Sequence, residues 1–316
     1  MHRTRLLNLG GYRFGIAAFA FAVLAPAYLL HAQAVQTSAE TLARVRQAGT
    51  LKLGYYPGAR PFSYQDEAGK PAGYAVALCQ EIAKNLKTEM GLPALAVEFV
   101  TVAGGDRFDA VQQGKVDLLC VPAVETLARR REVAFSIPVF PGGVGALIRA
   151  DAPSQLRDVL SGRPEPFRPQ WRASVAQALQ KRIFSAVIGT TVLTWLNGKL
   201  DDFKIAATVS PVESHDAGVQ RVLDRKCDVF FGERSILLDA ARRSPSAGDL
   251  TVFDRTFAYE PMALVLPRGD EDLRLLVDRS LSRLYRSGAF LTLYKTFFAE
   301  PGENMLTFFR MSAIPE

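Results

Sequence analysis

Apolar residues along this chain fall into two alternating rhythms. Tyr74 to Leu86 places Val76, Leu78, Ile82 and Leu86 at helical spacing and predicts a helix. Leu51 to Tyr55, Leu95 to Val102 and Val116 to Cys120 are short apolar runs that predict strands. Thr41 to Gln47 reads as a helix before the first strand, and Phe108 to Gln113 as one leading into the third. An extended run follows at Ala134-Phe135-Ser136. The rhythm then repeats. A strand ends at Val187-Ile188, a helix starts over Thr190 to Asn197, and Ile205 to Val209 is extended. His215 to Arg225 is helical and Asp228 to Phe231 is a buried strand. Leu273 to Arg286 and Phe290 to Phe298 close the chain as helices. Strands alternating with helices argue for mainly parallel sheets covered on both faces.

Two segments match in construction: GKVDLLC at 114–120 and DRKCDVFF at 224–231. Each is a helix end, a lysine, a spacer, an aspartate and an apolar strand. Two α/β lobes of like build follow. Val139 to Arg149 would leave the first lobe, and Phe257 to Leu266, with Tyr259-Glu260-Pro261, would return to it. Two crossings make a hinge, and closure around a ligand is the motion such a hinge allows.

The amino terminus changes the picture. Arg3, Arg5 and Arg13 precede an apolar run from Ile16 to Leu30, and Ala32-Gln33-Ala34 fits a small-x-small cleavage site. Residues 1–34 are expected to be an export signal and the mature chain to begin at Val35, in the periplasm. The apolar run is short for a membrane span. Whole-chain net charge is +6, but the signal carries three of the 38 Lys and Arg residues and none of the 32 acids. The remainder is nearly balanced and its basic residues are scattered, which argues against a nucleic-acid partner. Cys79, Cys120 and Cys227 are too few for a disulfide scaffold. In an oxidising compartment two readings stand: a Cys79–Cys120 bridge, or three small buried thiols. With His215 the only histidine after the signal, no metal site is expected, and no cofactor is indicated. Residues 151–183, rich in proline and arginine around Phe167 and Trp171, fit the two-lobe plan poorly. They read as a polar surface excursion of the second lobe, with a partner-docking element as the alternative.

Candidate chemistry concentrates after the strand Val116–Cys120. Arg129 lies just past its carboxyl end, with Thr126 three residues earlier. A planar guanidinium there can give a small carboxylate two parallel bonds, and loop amides add more. Gly189-Thr190-Thr191 precedes a helix, where free amides attract anions.

These residues carry a resemblance. Arg60-Pro61-Phe62-Ser63-Tyr64 followed by Gly69 and Gly73-Tyr74, Thr126-x-x-Arg129 with Phe135-Ser136, Gly189-Thr190-Thr191, and Phe231-Gly232-Glu233-Arg234 occur in the order and spacing of family 3 extracytoplasmic solute-binding proteins. The chain resembles these polar amino-acid receptors of ABC importers over nearly all of its expected mature length. The resemblance implies a two-lobed periplasmic binding protein fold of type II, with 35–145 and 260–316 as lobe 1 and 146–259 as lobe 2. It also implies a monomer that delivers a small amino acid or related carboxylate to a membrane permease, without catalysis. Alternatives on the same scaffold are a periplasmic dehydratase-like enzyme and a ligand-sensing receptor subunit.

By the same resemblance, Arg129 fixes the ligand's α-carboxylate, Thr190 and Thr191 add bonds, and Glu233 pairs with its ammonium. His215 matches a histidine that reads the side chain in glutamate/aspartate receptors. Tyr56 stands where those receptors carry an arginine, which argues against glutamate or aspartate, while Arg107 could still supply a cation. Plainer readings exist for several of these. Thr190 or Thr191 could simply cap its helix, Glu233 could pair with Arg234 or start a helix, and Arg107 could be a surface charge. Phe62 and Tyr64 read as core rather than ligand stackers.

One stretch departs from the family, Val121-Pro122-Ala123-Val124-Glu125. Val124 stands where a threonine or serine normally meets the carboxylate, and Pro122 has no amide proton. A lost bond to a charged group is worth about 1.5–3 kcal/mol, or roughly ten- to a hundredfold in affinity. The expected ligand is therefore a weakly held amino acid or a different carboxylate. Glu125 either meets an ammonium or points to solvent.

Overall fold

A computed structural model describes residues 40–162 and 177–316. The expected export signal lies outside them, as does the part of the polar excursion holding Phe167 and Trp171.

The first lobe is a five-stranded sheet. Its strands are β1 (Thr50–Tyr55), β5 (Ala96–Thr101), β6 (Leu118–Val124), β7 (Val133–Phe140) and β13 (Met262–Pro267), in the order β5-β1-β6-β13-β7. β1 runs parallel to β5 and β6, and β13 is antiparallel to both its neighbours. A small antiparallel sheet of β2 (Gly58–Ala59), β3 (Ser63–Gln65) and β4 (Pro71–Ala72) leads into the helix Tyr74–Glu89. The second sheet takes β8 (Val144–Arg149), β9 (Ile183–Ser185), β10 (Thr208–Val209), β11 (Val229–Glu233) and β12 (Leu250–Val252), in the order β10-β9-β11-β8-β12.

Each sheet buries apolar side chains on both faces, as a sheet with few polar positions requires. One face of the first packs Leu51, Leu53 and Leu118 against Leu78, Ile82 and Val277 of covering helices; the other packs Val116, Leu119 and Val265 against Val111. The second sheet does likewise, with Phe184, Val229 and Phe231 on one side and Leu147 and Phe230 on the other.

The repeated aspartates have the same structural task in both lobes. Asp117 accepts the Lys52 amide of β1 at 2.8 Å and also binds Arg44. Asp228 accepts the Ile183 amide of β9 at 2.7 Å and binds Arg182. Each pins the start of the neighbouring strand, so the sequence repeat reflects a repeated anchor.

The chain crosses from the first sheet to the second between Phe140 and Val144, and back between Val252 and Met262. The crossings touch at an isolated antiparallel bridge between Gly143 and Tyr259. Gly142 has φ 43°, and a Cβ there would lie 2.2 Å from the Glu260 carbonyl oxygen. Only glycine permits that approach.

Cys79 and Cys120 form a disulfide with a Cα–Cα distance of 6.0 Å, tying the helix Tyr74–Glu89 to β6. Cys227 is free and buried. Residues 121–124, expected as loop, instead continue β6 to Val124. Pro122 is tolerated because the β13 ladder shifts register there: Val265 pairs with Leu119 and Ala263 with Ala123. A proline without an amide proton fits such an irregularity. A last helix, Glu303–Ser312, was not signalled; it buries Phe309 against Tyr285 and Phe290. No helix among the described residues is long and apolar enough to cross a membrane.

Candidate functional site

The carboxyl ends of the parallel strands in the two sheets face one another, the position where open α/β sheets present ligand-binding loops. Tyr56 follows β1, Gly104 and Arg107 follow β5, and Thr126 and Arg129 follow β6. From the other side come Gly189 to Thr191 after β9, His215 after β10, and Glu233 at the end of β11.

Arg129 spans the space between them. Its Nη1 donates to the Val124 carbonyl at 2.7 Å, and its Nη2 to the Gly189 carbonyl across the cleft at 3.4 Å. Its own amide donates to Thr126 Oγ1 at 3.1 Å, which fixes the loop. Gly189 has φ 73°, the left-handed region that glycine enters freely and that turns its carbonyl toward the arginine. Burial lowers the affinity of this guanidinium for its proton, while the nearby Glu260 carboxylate opposes that shift.

Arg107 stands beside it. Its Nη1 donates to the Gly104 carbonyl at 2.7 Å, and its Nε is buried without a partner. Both guanidiniums lie over one ring: Cζ is 5.0 Å from the Phe108 centroid for Arg107 and 5.1 Å for Arg129. Burial, then the charge of Arg129, pull Arg107 down to about 10, with Tyr56 acting in the opposite sense.

His215 begins the helix His215–Leu223, whose cap Ser214 accepts the Ala217 amide. Its ring lies near the Gly58 backbone of the first lobe, which favours the protonated ring but is outweighed by burial. Burial holds its pKa down at about 4, so it is neutral at pH 7. Arg60 and Asp239 make a second polar link between the lobes at 3.4 Å.

The acids and hydroxyls are engaged elsewhere. Glu233 caps the helix Arg234–Arg243, accepting the Ile236 amide at 3.0 Å, with the Ser235 and Gly143 amides near enough to favour its charged form. Burial raises it to about 7 in spite of these amides. Arg234 turns instead to Asp254, at 2.8 Å. Thr190 Oγ1 donates to the Val187 carbonyl at 2.7 Å and accepts the Leu193 amide at 3.3 Å, as a helix cap does. Glu125 points to Arg130, at 3.1 Å. Val124 contributes its carbonyl and no hydroxyl.

Two residues at the cleft escaped the sequence reading. Phe108 is the ring beneath both guanidiniums. Glu260, on the returning crossing, accepts a bond from Thr191 Oγ1 at 2.8 Å and faces Arg129. Its signal was an acid within the Tyr259-Glu260-Pro261 crossing, where a hinge needs no charge of its own. The geometry thus gathers Arg129, Arg107, Tyr56, Thr191 and His215 around one cleft. It leaves Glu233 and Thr190 turned to helix starts beside it.

The comparisons agree with this architecture. A family model described as bacterial extracellular solute-binding proteins, family 3, matches residues 51–300. The L-glutamate/L-aspartate-binding protein of Pseudomonas aeruginosa is 25% identical over 262 residues, covering 83% of this chain and 80% of the relative. An amino-acid-binding protein of Dichelobacter nodosus is 26% identical over 244 residues, covering 77% and 85%. An ancestral amino acid-binding protein, a precursor of cyclohexadienyl dehydratase, superposes with a TM-score of 0.65 at 22% identity, over 82% of this chain and 99% of its own. The chain belongs to family 3 of the bacterial extracellular solute-binding proteins, and its fold is the two-lobed α/β fold of periplasmic amino-acid-binding proteins.

Proposed function

We propose that this protein is an exported substrate-binding subunit of an ABC importer, taking a small amino acid or related carboxylate between its lobes. The observation that carries the reading is Arg129. A half-buried guanidinium stands at a strand end and reaches the opposite lobe with only backbone carbonyls as direct acceptors. A carboxylate entering there would gain a bidentate, charge-assisted pair and draw the lobes together. Lobe 1 would comprise 35–145 and 260–316, lobe 2 would comprise 146–259, and the leader would be removed near Ala34 in the periplasm. Tyr56, Arg107, Thr126, Val124, Thr191 and His215 would line the ligand, with Thr190 and Glu233 holding the helix starts behind it.

A monomer delivering ligand to a membrane permease is the working assembly. Relatives named for binding rather than turnover support a role without catalysis. The test is thermal stabilisation across amino acids and organic acids. A reproducible rise in melting temperature with a carboxylate, with no product formed from prephenate, is the expected result. No shift with any of them at millimolar concentration overturns the reading, and prephenate turnover moves it to an enzyme.

A further inference from the structure

The charges around the cleft do not balance in the way a zwitterion needs. Arg107 and Arg129 share the Phe108 ring, and neither makes an ion pair with a carboxylate among the described residues. Arg107 keeps a buried Nε with no acceptor, although burial of an unpaired donor is costly. Two guanidiniums close enough for the charge of one to act on the other repel, and the arrangement calls for anions between them.

Asp106, Asp109 and Glu213 are exposed to solvent, and the other acids around the cleft already have partners. Glu233 receives the Ile236 amide as a helix cap, and Glu260 receives the Thr191 hydroxyl and faces Arg129. Glu125 is paired with Arg130, Asp239 with Arg243 and Arg60, and Asp216 with Arg243. An ammonium has three donors to satisfy. Of the hydroxyls at hand, Thr126 accepts the Arg129 amide and Thr190 is spent on its cap. Pro122, Ala123 and Val124 offer none.

We infer that the cleft selects a short dicarboxylate without an amine, one acid group meeting Arg129 and the other Arg107. The inference rests on the substrate-binding reading above and narrows its ligand. The second carboxylate would satisfy the orphaned Nε and neutralise the second cation. The Tyr56 hydroxyl and the neutral His215 ring then border the ligand without adding charge. An added ammonium would lie beside two guanidiniums and would have to share the Glu260 carboxylate with Thr191 and Arg129, which discriminates against amino acids of the same length.

The test is calorimetry at pH 7 on the purified protein, freed of carried ligand by extended dialysis, with succinate, glutarate, L-glutamate, L-glutamine and butyrate as probes. The expected result is that succinate or glutarate binds at least tenfold more tightly than L-glutamate, L-glutamine or butyrate. R107Q should lose at least tenfold of that affinity while its melting temperature without ligand stays near that of the parent, and R107K should recover part of the loss. L-Glutamate or L-glutamine binding as tightly as glutarate overturns the inference and leaves the substrate-binding reading standing. Diacid affinity unchanged in a folded R107Q overturns it too. If no probe binds, the inference fails, and the thermal-shift panel of amino acids and organic acids decides the reading beneath it.

Discussion

Thr191 and Glu260 meet across the base of the cleft: the threonine hydroxyl, at a second-lobe helix start, donates to the hinge carboxylate at 2.8 Å. That bond holds a negative charge close to Arg129 while keeping it turned toward the other lobe. In Thr191→Val the carboxylate is free to swing onto the guanidinium and compete with an incoming anion. Affinity for the tightest-binding carboxylate should fall about fivefold, roughly 1 kcal/mol for a partly exposed bond to a charged group. Calorimetry on the variant checks this, and unchanged affinity would remove Glu260 from the site.

Glu233 and His215 should pull stability in opposite directions with pH. Glu233 sits at about 7 in the folded protein against 4.5 for a free carboxyl. Between these values the folded state keeps a proton that the unfolded state has lost, so its contribution declines as pH rises. His215 sits at about 4 against 6.5. The unfolded state takes up a proton there that the folded state refuses, so stability rises with pH across that window. The two offset one another in the parent. Melting temperatures from pH 4.5 to 6.5 should climb with pH in Glu233→Gln and fall with pH in His215→Asn. Profiles parallel to the parent in both variants would show that neither group titrates as placed.

The disulfide closes a sequence separation of 41 residues. By the loop-closure account, its removal should cost about 3–4 kcal/mol. Denaturant unfolding of Cys79→Ala/Cys120→Ala, or of the reduced parent, should show a lower midpoint. Cys227→Ala in the same assay should cost less, since only a small buried thiol is lost.

The hinge glycine is testable against a helical one. Gly142→Ala puts a Cβ against the Glu260 carbonyl at positive φ and should destabilise by about 1–3 kcal/mol. Gly198, in the helix Thr191–Asp202, has open space around it, so Gly198→Ala should be neutral or stabilising by up to about 1 kcal/mol. Equal melting temperatures for the two variants would contradict the crossing geometry.

What the sequence made legible follows the strength of local signals. The helix Tyr74–Glu89 was readable because its buried positions recur at helical spacing, and β1, β6 and β11 because three or more apolar residues fall in a short run beside a turn. Arg129 was readable as a charge placed just past such a strand. Pro122 misled: it reads as the end of a strand, yet it lies where the β13 register shifts and no amide is required. The small sheet β2-β3-β4 and β12 are too short to carry a pattern. Glu260 could not be assigned from spacing, because it lies 131 positions after Arg129 and 69 after Thr191, and only the second crossing brings them together. The capping role of Glu233 likewise depends on where its carboxylate turns, which residue type alone leaves open.

The most direct measurement is the carboxylate affinity of Arg129→Gln beside that of the parent, by calorimetry at neutral pH, with the unliganded melting temperature of each recorded. The expected result is at least a hundredfold loss of affinity, roughly 3 kcal/mol, with little change in melting temperature. A folded Arg129→Gln that binds the same carboxylate as tightly as the parent would contradict the account at its centre.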